Sequence, residues 1–256
     1  MNEEPAVLTE RRERLLVITL NRPDQRNAVN AALAQGIAAA MDELDGTSEL
    51  SIGIITGAGK GFCAGMDLKA FVAGESPRVE GRGFAGITQR AAAKPLIAAI
   101  EGFAVAGGLE VALSCDLIVA SRGARLGIPE VKRSLVAAAG GLLRLPRMLP
   151  RNIAMELALT GEPMLAERGY ELGLVNRLTE PGGALEAAVE LAGQIAQNAP
   201  LALAASKRVL QESVDWPDAE FFARQEEIVA PVMRSEDARE GATAFAEKRP
   251  PVWKGR

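Results

Sequence analysis

Four short apolar runs, each stopped by turn-forming residues and set apart by other patterns, restrict this chain more than any other feature. Leu15–Leu20 is rich in β-branched residues and ends at Asn21-Arg22-Pro23-Asp24, the signature of a buried strand followed by a turn. Ser51–Thr56 is the second run. Pro95–Ile100 is the third and is read as continuing through Gly102–Val105. Asp116–Ala120 is the fourth, with a short strand at Ala124–Ile128 behind it. Between the first two, Asn30 is placed to cap a helix whose Leu33, Ile37, Ala40, Met41 and Leu44 share one face. Leu109–Leu113 reads as a short helix opening at Gly107-Gly108. Apolar strands alternating with helices imply an α/β fold with a largely parallel sheet buried on both faces. Residues 66–82 carry Gly, Ser and Pro without a period and read as a mobile loop. From about residue 184 the pattern is helical: Leu185, Ala188, Val189, Ala192 and Ile195 form one stripe, and Phe221, Phe222, Ile228, Val229 and Val232 another. The expected division is a core at 1–195 and a helical region at 196–256. No internal repeat is evident.

The chain is long enough for one well-buried domain with a small appendage, at 256 residues. Its net charge of −4 argues against a nucleic-acid partner, which calls for a basic face. No run approaches the apolar length of a membrane span, and Met1-Asn2-Glu3-Glu4-Pro5 has no signal-peptide character, so a soluble cytoplasmic protein is expected. Cys63 and Cys115 are a poor disulfide framework and fit a reducing compartment. The absence of histidine is the most useful count: it removes Ser-His-Asp and Cys-His catalysis and histidine metal sites. No metal and no separate cofactor are expected. Chemistry must run on carboxylates, lysines, hydroxyls, a thiol or backbone amides.

Thr56-Gly57-Ala58-Gly59-Lys60-Gly61 follows a strand and invites a nucleotide-binding reading. A dinucleotide fingerprint needs a helix N-terminus closing on the pyrophosphate, and Phe62-Cys63-Ala64-Gly65 starts no helical period. A P-loop needs Ser or Thr after its lysine, where this chain has Gly61. Both nucleotide readings fail. Phe62–Leu68 and Gly102–Glu110 are more informative, because each puts small residues where a strand ends and something can approach the main chain. The second opens onto a helix whose first N–H groups lack partners. One N–H from each loop suits a developing enolate oxygen, although Gly107-Gly108 could equally serve tight helix–strand packing.

These residues sit in stretches that resemble the crotonase (enoyl-CoA hydratase/isomerase) superfamily along nearly the whole chain. The stretches are NRPDQRNAVN at 21–30, GFCAGMDL at 61–68, IEGFAVAGGLEVALSCDLIVAS at 100–121, LGIPEV at 126–131, LTGEPMLAERGYELGLVNRL at 159–178 and EGATAFAEKRPPVW at 240–253. The resemblance implies a spiral of repeated ββα units, a helical C-terminal region for trimer contacts, and hexamers built as paired trimers. It implies an acyl-CoA thioester as substrate, with coenzyme A part of that substrate. It maps the oxyanion-hole amides onto Ala64 and Gly107, and the CoA-binding path onto Ala28, Met66, Asp67 and Leu68. Pro129 falls in the same site, and Phe245 and Lys248 match positions that meet a neighbouring subunit's CoA. Arg26 and Lys69 are candidates for neutralising CoA phosphates.

The hydratases of the superfamily use two glutamates, which match Glu110 and Glu130. Adding water across a conjugated double bond needs a base for the water and an acid for the α-carbon, and two carboxyls with separated pKa values can divide that work. Glu130 is assigned as proton donor and Glu110 as the group that holds and deprotonates water. After the second glutamate this chain has Ser134-Leu135-Val136-Ala137-Ala138-Ala139-Gly140-Gly141, where many hydratases have Gly and then Pro before Gly-Gly. The departure leaves bulky or carnitinyl-type acyl groups open. Isomerisation by one base and non-catalytic acyl-CoA binding are the alternatives; retention of both acids favours hydration. Cys63 is disfavoured as a nucleophile by its apolar setting, Asp116 is expected to satisfy backbone at a sheet end, and Trp216 and Trp253 to pack at helix contacts.

Overall fold

A computed structural model describes residues 4–90 and 92–256. The chain enters through a hairpin of β1 (Val7–Arg12) and β2 (Leu15–Leu20) and then begins a stacked spiral. The first round is β2, a bridge residue at Val29 and α1 (Ala31–Gly46), whose first turn is capped by Asn30 accepting from the Leu33 N–H at 3.0 Å. The second is β3 (Ile52–Gly57), bridge residues Cys63 and Met66, and α2 (Leu68–Val72), followed by the small hairpin β4 (Arg78–Val79) and β5 (Gly83–Phe84). The third is β6 (Leu96–Ile100), β7 (Phe103–Val105) and α3 (Gly107–Ala112). The fourth is β8 (Leu117–Ser121), β9 (Arg125–Gly127), a 3-10 turn at Pro129–Arg133, α4 (Gly141–Met148) and α5 (Arg151–Thr160). Then come β10 (Met164–Leu165), α6 (Ala166–Glu171), β11 (Arg177–Thr179) and α7 (Ala184–Ala196), and last α8 (Pro200–Glu212), α9 (Phe221–Met233) and α10 (Glu236–Glu247).

Two sheets result. The large one runs β1-β2-β3-β6-β8-β11, parallel from β2 onward, with β1 antiparallel at one edge. The small one is β10-β9-β7, and the bridges Cys63–Ala104 and Val29–Met66 carry its pairing back through the earlier rounds. Each round therefore contributes a strand to the large sheet, a shorter extended piece to the second layer, and a helix. That recurrence is structural only, and no sequence repeat accompanies it.

Period two explains the uniformly apolar central strands. Leu16, Ile18 and Leu20 join α1 in the main core, while Leu15 and Val17 face the other way with Ile52, Ile54, Ile97, Ala99 and Val119. On that second face Ala188 and Ala192 of α7 are fully buried, and their small side chains bring the helix close to the sheet. The stripe read from 185 to 195 is thus a core-covering face, and the 195/196 division falls at the end of α7.

Two expectations are corrected. The run from Pro95 to Val105 is not one strand: it breaks at Gly102, which has φ +58° and whose missing Cβ leaves room for the Lys60 carbonyl, so β7 peels into the second layer. Residues 66–82 are not a featureless loop. Asp67 accepts from the Lys69 and Ala70 N–H groups and nucleates α2, and the hairpin follows. The helices α4 and α5 had no counterpart in the sequence reading.

Asp116 behaves as expected. Its carboxylate accepts from Leu96 N at 2.8 Å and pairs with Lys207 of α8 at 2.7 Å, and Lys207 also donates to the Lys94 carbonyl. This buried latch joins α8 to the sheet end. Lys207→Met leaves a largely desolvated carboxylate without its cation and is expected to destabilise the protein by about 2–4 kcal/mol, measured by denaturant unfolding.

Candidate functional site

A cavity of about 910 Å³ opens between the second sheet layer and the helices of successive rounds. Ala64, Met66 and Leu68 reach it from the second round, Gly107 and Glu110 from the third, Pro129 and Glu130 from the fourth, and Arg26 from the turn after β2. These eight sequence-derived candidates, from four distant stretches, thus share one space.

The two glycine-bearing loops are pressed together. A Cβ at Gly108 would collide with the Cys63 carbonyl, and one at Gly65 would lie 2.9 Å from the Gly107 nitrogen. Ala106 is held at φ +53° just before α3, a conformation that costs about 1 kcal/mol or more for an alanine. Among the described residues, the Gly107 N–H has no protein acceptor, as befits the first residue of a helix.

The assignment of the second donor needs correction. Ala64 lines the cavity, but its N–H already donates to the Arg26 carbonyl at 3.0 Å. Two residues on, Val29 N donates to the Gly65 carbonyl and Asp67 N to the Val29 carbonyl, which leaves the Met66 N–H between them without an acceptor among the described residues. The free pair is Met66 and Gly107. Ala64 N and Asp67 N, three residues apart, are taken by the Arg26 and Val29 carbonyls; which amide between them stays free depends on the register with Val29, which sequence alone could not fix.

The two carboxyls have different surroundings. Glu110 is buried, and its Oε1 accepts from Ala139 N at 2.7 Å and Gly141 N at 2.9 Å. Burial raises its pKa; the N–H groups of Gly141 and Ala139 and the charges of Arg144 and Arg78 oppose that rise without cancelling it. Glu130, at the N-terminus of the 3-10 turn after Pro129, has a buried Oε2 with no hydrogen-bond partner among the described residues. Burial pushes its carboxyl up to about 7, its own backbone N–H opposing and the negative charge of Glu110 adding. One carboxyl is held by donors, and the other is poised to carry a proton at neutral pH.

Other candidates lie elsewhere. Asp67 does not line the cavity: burial raises its carboxyl, but the Ala70 N–H and the Arg22 guanidinium, 2.9 Å away, prevail and hold it below the ordinary carboxylate range. Arg22 also donates to the Ala28 carbonyl, so Ala28 too supports the loop and does not line the cavity. Phe245 and Lys248, at the end of α10, are exposed and do not line it, nor does Lys69. Cys63 is fully buried, its thiol pushed up to about 12 by desolvation while it donates to the Asn27 carbonyl; it is no nucleophile. Trp253 donates to the Gln197 carbonyl and packs at Gly241 of α10, and Trp216 packs on Phe221. Phe84, Phe71 and Arg78 line the cavity and were not singled out in the sequence; Phe71 and Arg78 come from the stretch at 66–82 without periodicity, and Phe84 from just after it.

A ββα spiral whose successive rounds bring unpartnered amides and two glutamates to one cavity is a member of the crotonase superfamily. The chain belongs to the Enoyl-CoA hydratase/isomerase family, which matches residues 10–256. Among solved structures, the enoyl-CoA hydratase from Mycobacterium tuberculosis H37Rv is 60% identical, with a TM-score of 0.97 over 99% of this chain and 100% of that one. The carnitinyl-CoA hydratase from Mycobacterium avium is 45% identical, with a TM-score of 0.78 over 99% of this chain and 100% of that one. A carnitinyl-CoA dehydratase from Salmonella typhi is 43% identical over 94% of this chain and 95% of its own length.

Two outcomes follow from this geometry. Gly108→Ala forces the Cys63 segment away from α3 and spreads the two amides, and is expected to lower kcat/KM for hydration of a 2-enoyl-CoA thioester at least about tenfold. Glu130→Gln is expected to stabilise the fold. Because the folded-state pKa is raised, ionisation opposes folding, and stability present below pH 4.5 is lost as pH rises through about 7. Thermal unfolding should show the variant gaining about 1–2 kcal/mol on wild type at pH 8, after allowance for solvent screening, and nothing at pH 4.

Proposed function

We propose that the protein is an enoyl-CoA hydratase, adding water reversibly to a 2-enoyl-CoA thioester. The observation that carries this reading is the pair of carboxyls in unlike environments, Glu110 fixed by two N–H donors and Glu130 with a buried unpartnered oxygen, on one cavity with two free amides. The thioester oxygen accepts from Met66 N–H and Gly107 N–H. Glu110 takes a proton from water, whose oxygen bonds to the β-carbon. The π electrons move through the α-carbon onto the thioester oxygen, and the resulting enolate collapses as Glu130 gives its proton to the α-carbon. Microscopic reversibility makes the same groups a dehydratase in the other direction. Coenzyme A enters as part of the substrate.

Two fixed carboxyls exceed what a double-bond shift requires, which favours hydration over isomerisation. The dehydration of a carnitinyl-type thioester is a second reading, supported by relatives named for that substrate at 43% and 45% identity. Against it, the cavity wall beyond the carboxyls includes Leu135, Val136 and Ala138, side chains suited to an apolar acyl group. Leu210, Phe222, Met233 and Phe245 are exposed on α8–α10, which supports a trimer or a hexamer of paired trimers, with Phe245 and Lys248 meeting a neighbouring subunit's substrate.

Incubation with a panel of 2-enoyl-CoA thioesters, carnitinyl-CoA's dehydration product included, should show loss of the conjugated absorbance. Glu110→Gln and Glu130→Gln should each lower kcat by about 10²–10⁴. Hydration needs Glu130 protonated, so the wild-type rate should fall as pH rises through about 7, and Glu130→Gln should lose that limb. Full activity in both variants would overturn the reading.

A further inference from the structure

Arg144 stands out among the groups that the reaction leaves unused. It lies on α4, half-buried, and among the described residues no carboxylate pairs with it, although moving an unpaired guanidinium out of water is costly. Its Nη2 donates to the Thr88 carbonyl at 2.7 Å, and Nη1 lies 3.5 Å from the Ala139 carbonyl. Gly140 has φ +110°, and a Cβ there would overlap Arg144 Nη1, so the guanidinium rests against the bare face of that residue. The opposite side of the same loop, through Ala139 N and Gly141 N, holds Glu110 Oε1. Three residues of backbone are thus sandwiched between a cation and the carboxylate.

We propose that Arg144 is a positioning residue for Glu110: it braces the Ala139–Gly141 loop from behind, so that both amides point at the carboxylate, and places unneutralised positive charge there. This rests on the hydratase reading for its kinetic test but not for its spectroscopic one. The charged groups that face Glu110 are Arg144 from α4, Arg78 from β4 and Glu130 from the 3-10 turn. The two arginines favour the ionised form, and Glu130, when ionised, disfavours it. Arg144 is the only one of the three that also touches the loop holding Oε1. Without it, Glu110 keeps its place in the fold but loses a braced donor pair and a compensating charge.

The test compares Arg144→Met and Arg144→Lys with wild type. In the enoyl-CoA hydration assay, Arg144→Met should lower kcat about 10–100-fold with KM changed less than about threefold, and shift the acidic limb of the kcat profile upward by about one pH unit. Arg144→Lys should hold the limb near its wild-type position while recovering kcat only in part, because it returns the charge without the planar fork. Carboxyl ¹³C NMR of ligand-free protein, with the Glu110 signal assigned through Glu110→Gln, reports the same shift without substrate. If wild type hydrates no thioester, the hydratase reading fails alone and the NMR titration still decides the matter for Arg144. Should Arg144→Met not fold, Arg144→Gln, which removes the charge while keeping a polar side chain of similar reach, takes its place beside Arg144→Lys. An unmoved acidic limb and an unmoved Glu110 titration in Arg144→Met, or in the charge-removing variant that takes its place, would overturn the proposal.

Discussion

Two stretches of bare backbone meet where Gly108 lies against the Cys63 carbonyl and Gly65 against the start of α3. No side chain fits between them. That contact brings a helix N-terminus and a strand end, separated by forty residues of chain, close enough for their spare amides to face one space. Everything else in the site is arranged around it. The Asn27 side chain, fully buried, donates to the Ala58 and Gly61 carbonyls and ties the turn after β2 to the second-round loop. Asp67 and Arg22 close the same loop from outside. Rigid backbone suits a donor pair, because amides aimed before substrate arrives need no reorganisation when charge develops.

Two chemically identical side chains acquire different roles from their surroundings. Glu110 has burial working against its charge, offset in part by two amides and two arginines. Glu130 has burial without comparable compensation and the charge of Glu110 nearby as well. The separation is self-reinforcing: the more firmly one carboxyl is held ionised, the harder ionisation becomes for the other. The cost is borne in stability, since an oxygen left without a partner inside a fold is unfavourable by about 1–3 kcal/mol.

Much of this was legible in the residues. The strands β2, β3, β6 and β8 declared themselves as uninterrupted apolar runs because both faces of the sheet are covered, and α1 because Asn30 and a five-residue face mark it. The glycines stood out as small residues at strand ends, whereas Glu110 and Glu130 were picked out by their match to the two glutamates of the superfamily that the chain resembles. The rest was hidden for physical reasons. Which amide of the second-round loop is free depends on its register with Val29, a pairing across thirty-seven residues that leaves no local trace. The second layer is made of pieces two or three residues long, too short for any period to show. Arg144 and Phe84 are ordinary residues in sequence and gain meaning only from what α4 and the hairpin bring beside them.

The spiral has a consequence for how such a protein can diverge. Met66, the Gly107–Glu110 pair and Glu130 come from three consecutive rounds, each anchored by its own strand in the large sheet. A change confined to one round therefore alters one chemical function while the others keep their footing. Descendants of one ancestor could exchange an acid, or reshape the wall at Leu135 and Val136, without renegotiating the rest. A scaffold assembled this way lets new reactions be acquired piecemeal.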